Sequence, residues 1–130
     1  MLVYVRRVVE RCKKRILEVY DQNPENLKDY TKQGSIVLNI QPACEACIDL
    51  AMHIVAQERL RLPQTSRDAF DMLESSSIID EKIAKRLKAM VGFRNIAVHD
   101  YQIINLNILE QIVEKHLEDF TDFTKQILKY

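Results

Sequence analysis

Near the carboxyl end, apolar residues recur at intervals of three and four: Leu109, Ile112, Val113, His116, Leu117, Phe120, Phe123 and Ile127. That spacing lays a single stripe along one face of a helix. A half-buried strand needs strict alternation instead. It predicts a helix from about Leu106 to Lys129. The same period governs the opposite end, where Val5, Val8, Val9, Cys12, Ile16, Val19 and Tyr20 predict a helix from about Leu2 to Asp21. No comparable run of period two occurs. Two glycines and three prolines in 130 residues also leave few of the tight turns that an all-β chain requires.

The middle of the chain is punctuated for further helices. Asn23 can cap and Pro24 suits a first helical position, so Asn23-Pro24 reads as a stop and a restart. The helical stretch that follows reaches roughly Leu60. Gly34-Ser35 and Pro42 leave two readings open, one kinked helix or two consecutive ones. Beyond Pro63, Thr65 with Asp68 three residues on resembles a capping box and opens a short helix to about Glu74. Asp80 reads as the next N-cap, Ile83, Leu87, Met90 and Val91 as a buried stripe, and Gly92 as the terminator. The expectation is an all-α chain, five helices in one bundle, with residues 1–130 forming a single domain.

Charge excludes more than it suggests. Lys plus Arg and Asp plus Glu balance at 19 each, so net charge favours neither nucleic acid nor membrane. Arg6, Arg7, Arg11, Lys13, Lys14 and Arg15 interrupt any secretory apolar segment at the start, and no apolar run approaches the roughly 18 residues of a membrane span. Three cysteines without a signal peptide imply free thiols in a reducing compartment. The expected protein is soluble and cytoplasmic, with no membrane partner.

The chemistry concentrates in Arg94, Asn95, His99 and Tyr101. Histidine titrates near neutral pH and can take or deliver a proton, while arginine keeps its charge and forks onto phosphate oxygens. Such a set suits phosphodiester cleavage. RNA carries its own nucleophile, the 2′-hydroxyl, so a metal is not obligatory, and the expectation is of no cofactor. Tyr101 can bond phosphate or stack on a base. On a regular helix, however, five residues turn the chain through about 500°, leaving Arg94 and His99 about 140° apart. Either the helix breaks between them or two copies of the chain supply complementary residues. Asn95 and His99, four apart, can share a face.

Arg94-x4-His99-x-Tyr101 resembles the motif of HEPN ribonucleases. Met90-Val-Gly-Phe-Arg-Asn-Ile-Ala-Val-His-Asp-Tyr101 is similar to its HepT-toxin version almost throughout, and the likeness extends from about Cys44 onward. The resemblance implies a helical bundle that dimerises with two motifs across a shared cleft. It further implies metal-independent RNA cleavage, leaving a 2′,3′-cyclic phosphate. Arg94 and His99 are the implied catalytic residues, with Asn95 and Tyr101 in support. The implied partner is a small MntA-like nucleotidyltransferase antitoxin, and transfer of AMP would fall on Tyr101. A reading from another class is a non-catalytic helical module that binds RNA or the nucleotidyltransferase through the same motif.

Weaker signals surround these. Lys82, Lys85, Arg86 and Lys88 run toward Arg94 and can guide RNA to it, or simply form a solvated helix face. Cys44, Cys47 and His53 supply at most three ligands without the second pair of a structural zinc site, so they read as a packed face of small residues and not as a metal centre. His116 lies on an apolar stripe and reads as a core or interface histidine.

Overall fold

A computed structural model describes residues 1–130 and is all-helical. Helix α1 spans Leu2–Tyr20, α2 Tyr30–Gln57, α3 Ser66–Ser75 and α4 Glu81–His99. A final rod comprises α5, Leu106–Gln111, and α6, Leu117–Lys129, joined by a π turn at Ile112–His116. The long α2 is the central element and packs against α1, α3, α4 and α6. No helix is long and apolar enough to cross a membrane.

The apolar stripes named above are the core. Val5, Val9 and Ile16 of α1, Ile36 and Ile40 of α2, Phe70 of α3, Leu87 of α4 and Phe120 of α6 are all fully buried. Each such aliphatic or aromatic side chain contributes about 1.5–3 kcal/mol when withdrawn from water. Phe70 and Phe123 meet edge to face, with ring centroids 5.5 Å apart. Lys13, buried despite its charge, reaches from α1 to Thr121 Oγ1 at 2.8 Å and to Glu118 at 2.6 Å, clasping α1 to α6.

Local capping chemistry sets most helix starts. Asn23 accepts from the Glu25 amide and opens a 3-10 turn at Pro24–Lys28. Thr65 Oγ1 accepts from the Asp68 amide at 3.0 Å, and Asp80 Oδ1 from the Ile83 amide at 2.8 Å. Three features correct or decide the sequence expectation, the second by settling which of two open readings holds. First, α2 begins only at Tyr30, because Asp29 accepts from the Thr31 and Lys32 amides and restarts the helix there. Second, α2 is one helix through Pro42. Pro42 and Leu38 are both exposed, so the carbonyl that loses its partner lies on the solvent side. Third, Gly92 does not end α4.

The third correction matters for function. Gly92 keeps a helical backbone, and no glycine in the chain has positive φ. What the position needs is room: the Arg67 guanidinium lies where a Cβ would project, and Arg67 Nε donates to the Lys88 carbonyl at 3.2 Å. Helix α4 therefore continues for a further seven residues, to His99, and carries the motif into regular helix.

Candidate active site

The unbroken run of α4 removes one of the two escapes from the geometric problem. Arg94 and His99 share one regular helix and diverge by about 140°. Arg94 is half-buried and turned toward α2, where the Cys44 thiol lies beside its guanidinium. Burial pushes that thiol up to about 11, partly opposed by the arginine charge. Asn95 and His99 are exposed on the other side of α4. His99 is its last residue, and the Asp100 backbone N–H closes the helix by donating a hydrogen bond to the Ile96 carbonyl at 2.8 Å. Within one chain, then, Arg94 and Tyr101 lie inward and His99 lies outward.

Tyr101 opens a single 3-10 turn, Tyr101–Ile103, between α4 and α5. Its ring folds back against the start of α2 and meets Tyr30 edge-on, with centroids 6.0 Å apart and planes at 76°. Burial, with a smaller contribution from Tyr30, raises the phenol above its usual value. Two polar atoms are buried here without a hydrogen-bond partner: Arg94 Nε and Tyr101 Oη. No other buried side-chain nitrogen or oxygen in the chain lacks one. Structural cores satisfy such atoms, so their concentration in the motif marks a region shaped by something other than stability.

The basic residues leading into the motif divide in two. Arg86 pairs with Asp119 at 3.1 Å and Lys88 with Asp71 at 2.6 Å, whereas Lys82 and Lys85 are exposed and make no ion pair. Cys12, Cys44 and Cys47 are buried and unpaired, and His53 is exposed on α2.

One polar centre was not legible in the sequence. Asp119 is 2% exposed and bridges Arg86 on one oxygen and His116 Nδ1, at 3.0 Å, on the other. The signal available beforehand was the His116–Asp119 spacing of three. This network closes one end of a cavity of about 360 Å³ between α4 and α5, walled by Met90, Phe93, Ile108 and Ile112.

An all-helical chain with Arg-x4-His-x-Tyr at the end of a long helix is a HEPN-type protein. The ribonuclease HepT-like family matches residues 8–127, and the chain belongs to that family as a HepT-like toxin. It is 50% identical to the mRNA nuclease HepT of Shewanella oneidensis over 115 residues, 88% of this chain and 86% of that protein. A solved structure of the tri-AMPylated Shewanella oneidensis HEPN toxin in complex with MNT antitoxin superposes with a TM-score of 0.93 at 45% identity, covering 99% of this chain and 97% of that one. A crystal structure of a toxin–antitoxin with AMP-PNP gives a TM-score of 0.94 at 44% identity, covering 99% and 98%.

Proposed function

We propose that this chain is a cytoplasmic, single-domain ribonuclease toxin, active as a homodimer and silenced when a MntA-like nucleotidyltransferase transfers AMP to Tyr101. The observation that carries the reading is the complete Arg94-x4-His99-x-Tyr101 motif at the end of α4, in a fold shared with AMPylated and antitoxin-bound relatives.

In the cleavage step, the RNA 2′-hydroxyl attacks the adjacent phosphorus and the 5′-oxygen leaves, giving a 2′,3′-cyclic phosphate. His99 takes the hydroxyl proton or delivers one to the leaving oxygen. Arg94 neutralises charge growing on the phosphate oxygens. Asn95 lies on the His99 side of α4 and supports that residue. Lys82 and Lys85 are the exposed cations left to draw RNA toward it. Because the substrate supplies the nucleophile, the step requires no metal.

A second copy supplies what one copy lacks. With α4 intact, the inward Arg94 and outward His99 of one chain do not meet, and only another protomer can complement them. Exposed Ile96, Val98, Ile103 and Ile108 surround this end of α4, and the apolar cavity opens beside them. Isolated apolar residues are ordinary on a surface, but four around one motif fit a covered face.

Silencing follows from chemistry at the same tyrosine. The Tyr101 oxygen attacks the α-phosphorus of ATP, pyrophosphate leaves with the bonding electrons, and the phenol proton passes to a base or water. The added phosphodiester places negative charge where RNA phosphate would lie.

The test is incubation with end-labelled RNA in excess chelator, wild type beside His99→Ala. Cleavage to cyclic-phosphate ends by wild type alone is expected. Cleavage retained in His99→Ala would overturn the catalytic assignment.

A further inference from the structure

We propose that the small side of α2 at Gly34 is a seat that stows the Tyr101 hydroxyl, which becomes reactive only when the ring leaves it; the position accepts nothing longer than a methyl without displacing that oxygen. The consequence for regulation rests on the reading of Tyr101 as the AMP acceptor; the seat itself does not.

Glycine at position 34 has no backbone justification. It lies within α2 with ordinary helical torsions, where it is the poorest helix former after proline. Space explains it. A Cβ on Gly34 would sit 3.5 Å from Tyr101 Oη, in plain contact. Any longer side chain pointing the same way would take the oxygen's place. Tyr30, one helical turn earlier, forms the outer wall through its edge-on contact and is itself 77% exposed.

The seat conceals the oxygen without bonding it. Tyr101 Oη is buried and has no partner. Attack on phosphorus needs an open line of approach to that oxygen, so the stowed tyrosine is not a competent acceptor. A buried hydroxyl without a hydrogen bond is also unfavourable, and the ring is held by packing alone. Moving outward restores bonds to water. The ring sits on a single turn flanked by non-helical Asp100 and Ile104, so this movement need not disturb α4 or α5.

Phenol accessibility can be read directly by O-acetylation with N-acetylimidazole and peptide mass spectrometry on wild type, Gly34→Ala and Gly34→Leu. Exposed Tyr4 is the internal reference, and buried Tyr20 reports on folding. In wild type and Gly34→Ala, Tyr101 should be acetylated at least about tenfold more slowly than Tyr4, the protection given by a local opening of about 1.4 kcal/mol. In Gly34→Leu, Tyr101 should approach the Tyr4 rate while Tyr20 stays protected. Should Gly34→Leu also expose Tyr20, Tyr30→Ala removes the outer wall without crowding α2 and should release Tyr101 alike. Wild-type Tyr101 reacting as fast as Tyr4, or Tyr101 remaining protected in folded Gly34→Leu or Tyr30→Ala, would overturn the proposal.

AMP transfer from ATP by the cognate nucleotidyltransferase gives a separate readout. Gly34→Leu should gain AMP about tenfold faster than wild type, and Gly34→Ala at the wild-type rate. Absence of AMP from every variant would sink the modification reading, while the acetylation contrast would still decide the seat.

Discussion

Two polar clusters flank α4, and they are built in opposite ways. On one side Asp119 is almost wholly buried, yet both its oxygens are engaged, by Arg86 and His116. On the other, Arg94 Nε and Tyr101 Oη are buried with nothing to bond. The first cluster shows how this fold satisfies polar groups when stability is the object. The second shows that the motif is held in place by its surroundings without being satisfied by them. Donors left unbonded remain free to meet other oxygens; a structural network has already spent its own.

The contrast can be broken most severely at His99. His99→Ala should lower RNA cleavage by about 10²–10⁴-fold with the melting temperature unchanged, since the side chain is exposed; cleavage assays beside thermal melts check both halves. Asp119→Ala should do the reverse. Leaving half-buried Arg86 and His116 without their shared partner should cost about 2–3 kcal/mol by urea titration, below the figure for fully buried pairs because both remain partly solvated. Cleavage per folded molecule should persist.

Tyr101→Phe sharpens the comparison. Removing an oxygen that bonds nothing should leave stability unchanged or raise it by up to about 1 kcal/mol, whereas removing a satisfied one should lower it. Tyr20 is that counterpart: its buried hydroxyl donates to Glu114. Tyr20→Phe should cost about 1 kcal/mol. Burial, then the bond and charge of Glu114, raise the Tyr20 phenol well above the ordinary tyrosine value of about 10. The folded state therefore keeps the proton longer than the unfolded chain. Its stabilising contribution is complete below pH 10 and is lost as pH rises beyond that. Stability measured across this window should fall less steeply in Tyr20→Phe. The smallest effect belongs to Ser77, which holds a positive φ of 59°. Ser77→Gly should stabilise by about 0.5 kcal/mol, because only glycine adopts that conformation freely.

Sequence chemistry revealed those parts of the fold that neighbouring residues decide. Thr65 and Asp80 cap where their spacing to the next apolar run predicts, and the stripes of α1 and α6 are buried as the period requires. Gly92 misled because glycine permits a helix to end without compelling it, and its partner Arg67 is distant in sequence. Pro42 was ambiguous because helix tolerance depends on whether the orphaned carbonyl meets solvent. For the motif, helical geometry alone exposed the divergence of Arg94 and His99, the residue types suggested phosphodiester cleavage, and the family resemblance supplied the shared cleft, the antitoxin and the AMP transfer. None of these indicated that Tyr101 would fold against Gly34, a contact between residues about half the chain apart in sequence. Asp119 was hidden by its type, since an acid at the edge of an apolar stripe reads as solvent-facing until its partners converge.

The π turn at Ile112–His116 gives the last rod an odd tolerance for change in length. Such a turn holds one residue more than the α-helical pitch requires, so deleting a single residue there would let α5 and α6 heal into one regular helix. The healed rod would be straighter, yet α5 would be rotated by about 100° relative to α6. Asn105 and the turn that begins at Tyr101 would be carried round with it. No substitution within 112–116 has that reach: at this point in the chain, losing one residue reorients everything upstream as far as the motif, while exchanging one disturbs only its own contacts.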